Sequence, residues 1–102
     1  MRIIVMFDLP CTESKERKEY TIFHKELIKN GYTMIQYSIY SKIINFKEKT
    51  DSEIDKLKRK LPNDGNIRVL VITDKQYSDM RVILGNKNIN EIYNSSERYV
   101  KI

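Results

Sequence analysis

Glycine, proline and cysteine are scarce in this chain, at three, two and one of 102 residues, and there is no tryptophan and a single histidine. With only Gly31, Gly65 and Gly85, far apart, no glycine-rich loop can cradle a phosphate. The lone Cys11 closes no intramolecular disulfide and has no neighbouring Cys or His with which to share a metal, so it reads as incidental and no zinc site is expected. The longest apolar runs, residues 3–7 and 69–72, fall far short of the roughly 20 residues that span a bilayer. No N-terminal stretch combines a basic start, a long apolar run and a small-residue cleavage site, and the expected location is the cytoplasm.

Cationic charge is present in excess. Nineteen Lys and Arg against fourteen Asp and Glu give a net charge of +5, a balance that favours a polyanionic partner without identifying it. Residues 32–62 hold seven of the basic residues against four acids, among them Lys56, Lys58, Arg59 and Lys60. Such clusters are as a rule solvated helix faces.

There is no repeat, low-complexity stretch or linker, so one domain is expected over 1–102, with a core of about 1–84 and a tail over 85–102. Residues 2–7, RIIVMF, form a nearly unbroken apolar run rich in β-branched side chains, the pattern of a central strand covered on both faces. Asp8 ends it, Pro10 leaves the ladder, and Thr12 or Ser14 can cap a helix over about 14–30. Tyr20, Phe23, Leu27 and either His24 or Ile28 make its apolar stripe, and Gly31 its left-handed stop. Residues 32–44 read as two short strands or one bent one. The spacing of Thr50 and Glu53 predicts a capping box, followed by a helix with Ile54, Leu57 and Leu61 buried and Pro62 as its end. After the turn at 63–66, residues 67–73, IRVLVIT, read as a second buried strand, and 75–80 as one helical turn. Strand, helix, paired strands, helix, strand is the α+β ferredoxin-like order, βαββαβ, with both helices on one face of an antiparallel sheet. Residues 81–84 and 98–102 are each apolar enough for an additional C-terminal strand. A chain this small leaves apolar surface and sheet edges uncovered, so a homodimer is expected, with one of these segments pairing with the partner.

Asp8 is the most informative residue, a carboxylate at the end of an otherwise apolar central strand. It can hold a hard cation whose other ligands are waters and substrate phosphates. The competing reading makes it a cap for amides of the turn that follows. His24 lies about ten residues into the helix, on the order of 15 Å from its start, and reads as a packed histidine rather than a base working with Asp8. The sheet is also the frame of a common single-stranded RNA-binding module, but that module's Gly-aromatic signature is missing, and Tyr37, Tyr40, Phe46 and Tyr77 are expected in the core or a dimer interface.

Four segments in order, VMFDLP at 5–10, ERKEYTIFHKEL at 16–27, GYTMIQYSIYSK at 31–42 and LPNDGNIRVLVITDKQYSDM at 61–80, are similar to the small CRISPR-associated adaptation endonuclease family, in particular to its type II branch. The resemblance covers roughly residues 1–87. It implies a ferredoxin-like homodimer with Asp8 of each subunit near the two-fold axis as the catalytic and metal-binding residue. The cofactor implied is magnesium or another divalent cation, activating a water for phosphodiester hydrolysis. The implied partners are the large CRISPR integrase subunit and double-stranded DNA, or single-stranded RNA as a cleavage substrate. In that complex the small dimer binds the duplex backbone and spaces two remote integrase sites during spacer acquisition. Members place basic residues near the start of the first helix on the duplex, which points to Lys15, Arg17 and Lys18 in preference to the Lys56 cluster, with help from free helix amides. Where many members carry a second small or acidic group after the aspartate, this chain has Leu9-Pro10-Cys11. Two other functions fit the same residues, a free-standing ribonuclease resembling toxins of this fold and a non-catalytic regulatory module.

Overall fold

A computed structural model describes residues 1–85. Its elements are β1 (Arg2–Asp8), α1 (Ser14–Lys29), β2 (Thr33–Gln36), β3 (Ile39–Ile43), α2 (Thr50–Leu57), β4 (Asn66–Ile72) and a short α3 (Asp74–Ser78). The strands form one sheet in the order β2-β3-β1-β4, antiparallel at every pair. This is the expected βαββαβ arrangement. The expected strand at 98–102 lies outside the described residues, and residues 81–84 are not a strand. They leave α3 and run past Ile35 and Gln36 without pairing to either edge of the sheet, with Ile83 and Leu84 95% and 92% exposed.

Side chains alternate across β1. Ile3, Val5 and Phe7 face the helices and are buried with Phe23 and Leu27 of α1, Leu57 of α2 and Tyr40 of β3. Phe7 is the hub of this packing, stacked on Tyr40 at 5.7 Å and edge-on to Phe23 at 5.4 Å. α1 stops as expected at Gly31, whose φ of +90° lets the Tyr32 amide return to the Leu27 carbonyl at 3.0 Å. His24, not Ile28, completes the α1 stripe, with Ile28 51% exposed.

Four local expectations are corrected. The N-cap of α1 is Glu13 rather than Thr12 or Ser14, because the Glu16 carboxylate reaches back to the amides of Thr12 and Glu13 at 3.1 and 2.9 Å. Thr50 and Glu53 make no capping box. A 3₁₀ turn over Lys47–Lys49 runs straight into α2, so the Thr50 hydroxyl donates to the Lys47 carbonyl at 2.6 Å and Glu53 turns inward to Lys42 at 2.9 Å. Leu61 lies beyond α2, past a second 3₁₀ turn at Lys58–Lys60, and is half exposed. Finally, β4 is not covered on both faces. Its register with β1 puts Arg68 and Leu70 opposite Met6 and Ile4 on the face away from α1 and α2, where Leu70 is 50% exposed.

Tyr40 and Tyr77 are buried as expected, but Tyr37 and Phe46 are 87% and 54% exposed and belong to no core. Among the described residues, no helix is long and apolar enough to cross a membrane.

Candidate active site at the end of β1

Asp8 is the last residue of β1, and alternation turns its side chain to the open face with Ile4 and Met6. The carboxylate is exposed and forms no hydrogen bond or ion pair among the described residues. In particular it accepts none of the turn amides, since α1 is capped by its own Glu13 and Glu16. A cap would have consumed it, and this one is free.

The backbone around Asp8 is closely held. The neighbouring Phe7 amide donates to the Ser38 carbonyl at 3.0 Å, and Ser38 takes a φ of +66° to close the β2–β3 turn there. On the other side Asp8 pairs with Asn66. Just before Asn66, Gly65 has a φ of +109°, and a Cβ on it would sit 2.8 Å from the Asp8 carbonyl oxygen and 2.6 Å from the Leu9 side chain. Only glycine fits that approach.

A shallow recess of about 370 Å³ opens beside the carboxylate, lined by Met6, Phe7, Asp8, Asn66 and Arg68. Arg68 is exposed and shares the open face with Asp8, and its Nε donates to the Asn66 Oδ1 at 3.2 Å. Sequence reasoning missed both Asn66 and Arg68. The available signal was a cation inside the apolar run IRVLVIT, which marks a strand with one solvated face rather than two buried ones.

The residues expected on nucleic acid are exposed. Lys15, Arg17 and Lys18 lie in the first turns of α1, and the Arg17 guanidinium donates to the Thr12 carbonyl. The helix end beside them is no open anion site, because the Glu13 and Glu16 carboxylates sit there in a capping box. These side chains therefore offer charge alone. In the competing cluster Lys56 is partly committed, 3.4 Å from Glu53, whereas Lys58, Arg59 and Lys60 are exposed on one turn.

His24 takes no part in the Asp8 site. Its Nδ1 lies 2.6 Å from the Tyr40 hydroxyl on the helix-covered face of the sheet, and Asp8 projects from the other. Cys11 is free and exposed.

Asp8 suits a hard cation by its chemistry but not by number. No group of three His, Cys, Asp or Glu able to hold a metal exists among the described residues. One chain offers one carboxylate here, so a magnesium ion would be completed by waters and substrate phosphate oxygens, and a second copy's Asp8 would strengthen the site.

The family model described as "CRISPR associated protein Cas2" matches residues 1–80. Curated relatives named CRISPR-associated endoribonuclease Cas2 include that of Ligilactobacillus salivarius, 43% identical over 98% of both chains. That of Treponema denticola is 40% identical over 98% of both, and that of Lacticaseibacillus rhamnosus 35% identical over the whole of both. The aspartate-ended central strand and ferredoxin-like sheet thus sit in a chain that matches these relatives nearly end to end, and the protein belongs to the CRISPR-associated Cas2 family.

Proposed function

We propose that this protein is the small homodimeric subunit of the spacer-acquisition machinery. It binds duplex DNA, holds large integrase subunits at a set separation, and carries a magnesium-dependent endonuclease site at Asp8. The observation that supports this reading most is the Asp8 carboxylate, without a partner among the described residues, at the end of the buried central strand and beside an open recess. An exposed aspartate on a loop would need no explanation. One held by two neighbouring strands, with no side-chain partner among the described residues, supports a role toward a cation.

Exposed apolar side chains, Ile43 and Leu70 on the open face and Ile83 and Leu84 after α3, support the dimer. Ile43, Leu70, Ile83 and Leu84 are 52%, 50%, 95% and 92% exposed, an amount of apolar surface that a second copy would cover. A two-fold axis near Asp8 would supply the second carboxylate that one chain lacks. The two Asp8 side chains would hold magnesium, which supplies polarisation of a phosphate oxygen and a more acidic water. Lys15, Arg17 and Lys18 would hold the duplex through its phosphates, reading spacing and not sequence. The relatives' name points to RNA as a strand that Asp8 can cleave.

The test is reconstituted spacer integration with the large integrase subunit and a short duplex, with light scattering for the dimer. Asp8→Ala should abolish magnesium-dependent cleavage and leave the dimer and integration intact. Its melting in EDTA should stay within about 0.5 kcal/mol of wild type, since an exposed side chain with no partner among the described residues contributes little to folding. A monomer at micromolar concentration would remove the shared site. A loss of the 0.5 to 2 kcal/mol typical of a cap, in EDTA, would return Asp8 to a structural role.

A further inference from the structure

We propose that Arg68, its Nε held by Asn66, grips the phosphodiester phosphate at the Asp8 site. The assignment rests on hydrolysis taking place at Asp8 but is tested separately from it.

The register places the three residues together. Asp8 pairs with Asn66 and Met6 with Arg68, so Asp8, Asn66 and Arg68 project from the same face, and all three line the one recess. Arg68 and Asp8 carry opposite charges, yet no ion pair joins them within 4 Å. The guanidinium is instead tied back to the Asn66 amide oxygen at 3.2 Å, and that amide belongs to the residue directly across from Asp8. Both charges are thereby left uncommitted in one small space.

A free exposed arginine would lose considerable rotamer entropy on being fixed. The Asn66 bond removes part of that cost in advance. It uses only Nε–H, so the four N–H groups of the two terminal nitrogens have no partner among the described residues. Those groups form a planar fork that matches two phosphate oxygens. The site also needs a cation of this kind. The Asp8 carboxylate repels an approaching phosphate, and Arg68 is the cation lining the recess. Lys15, Arg17 and Lys18, on α1, belong to the helix side of the sheet.

The plainer alternative is that Arg68 blunts an edge. β4 is an edge strand, and exposed cations on edges discourage sheet-to-sheet association. On that account lysine would serve as well as arginine, and Asn66 would not matter.

The experiment measures binding in EDTA across a salt series, with a labelled single-stranded RNA and a blunt DNA duplex as separate probes. Arg68→Ala should weaken binding of at least one probe about tenfold. The slope of log affinity against log salt should fall by about 0.9 per lost contact on duplex, or about 0.7 on a single strand. The probe whose slope falls identifies the strand gripped. Arg68→Lys should restore the slope but bind severalfold more weakly than wild type, because a point charge replaces the fork. Asn66→Ala should keep the slope and lose affinity severalfold. The proposal is overturned if Arg68→Ala keeps the wild-type slope on both probes, if Arg68→Lys equals wild type, or if Arg68→Ala is a monomer. Asp8→Ala separates the two readings. In EDTA it should bind at least as tightly as wild type, and if it still cleaves with magnesium, the hydrolytic role of Asp8 fails while the salt slopes continue to decide that of Arg68.

Discussion

The two faces of the sheet are built by opposite rules. On the helix-covered face Phe7, Phe23, Tyr40 and Leu27 interlock, and even the charges are paired, with Lys42 held to Glu53 at 2.9 and 3.0 Å. On the open face, among the described residues, the Asp8 side chain has no partner and that of Arg68 one, and Ile43 and Leu70 are half in water. The same strands supply both, since β1 alternates Val5 and Phe7 with Met6 and Asp8. Toward the Asp8 end of β1 a period-two pattern therefore separates folding energy from available chemistry, whereas at its start Ile4 and Arg2, the latter against Tyr77, are buried on that same face, and substitutions at Phe7 and Asp8 should differ in kind.

The largest effect is expected at Phe23, fully buried against Phe7. Phe23→Ala should destabilise the chain by about 3–5 kcal/mol through lost burial and the cavity left behind. Urea unfolding measures it, and a cost below about 1 kcal/mol would mean that the helix face is not the core.

Next comes the buried ion pair. Burial by itself would raise the Glu53 carboxyl, but its bonds to Lys42, the Lys42 charge and then Lys56 more than offset that and hold it below its ordinary 4.5. The same carboxylate, after burial, pushes the Tyr32 phenol well above its usual range. A carboxyl depressed by folding contributes stability that is present above its unfolded pKa and lost as pH falls through the folded one. Stability should therefore hold above about pH 4.5 and decline below it. Glu53→Gln should cost about 2 kcal/mol at neutral pH, less than for a fully buried pair because Lys42 retains 23% exposure. It should also flatten the acid limb of melting temperature against pH. An unchanged limb would place the acid sensitivity elsewhere.

The two faces were unequally legible in the sequence. The helix face could be read because burial there leaves periodic apolar spacing, in RIIVMF and in Tyr20, Phe23, His24 and Leu27. Asp8 could be read because a charge ends an apolar run. The local rule makes Glu53 a cap because of the threonine three residues before it, while Lys42, eleven residues away, holds it through tertiary contact. Arg68 and Asn66 stayed hidden because their meaning depends on which residues of β1 they face, and register is set by pairing across the sheet rather than by neighbours along the chain. Residues 81–84 carry a strand-like composition but a strand needs an edge, and composition does not say whose.

The smallest expected effect on folding, and the sharpest test of the contrast, is Leu70→Glu. Leu70 is opposite Ile4 on the open face and half exposed, so in the isolated chain the change removes little burial and should cost no more than about 0.5 kcal/mol. In a dimer formed through that face, two glutamates would enter an apolar interface. Unpaired charges taken out of water cost several kcal/mol each, which is enough to abolish association at micromolar concentration. Light scattering should therefore report a monomer that circular dichroism shows to be folded. Magnesium-dependent cleavage should fall sharply with the dimer although Asp8 is untouched, because only one carboxylate of the proposed shared site remains. If Leu70→Glu stays dimeric, the subunits meet elsewhere. If it unfolds, the open face contributes to the core, and the division between the two faces is wrong.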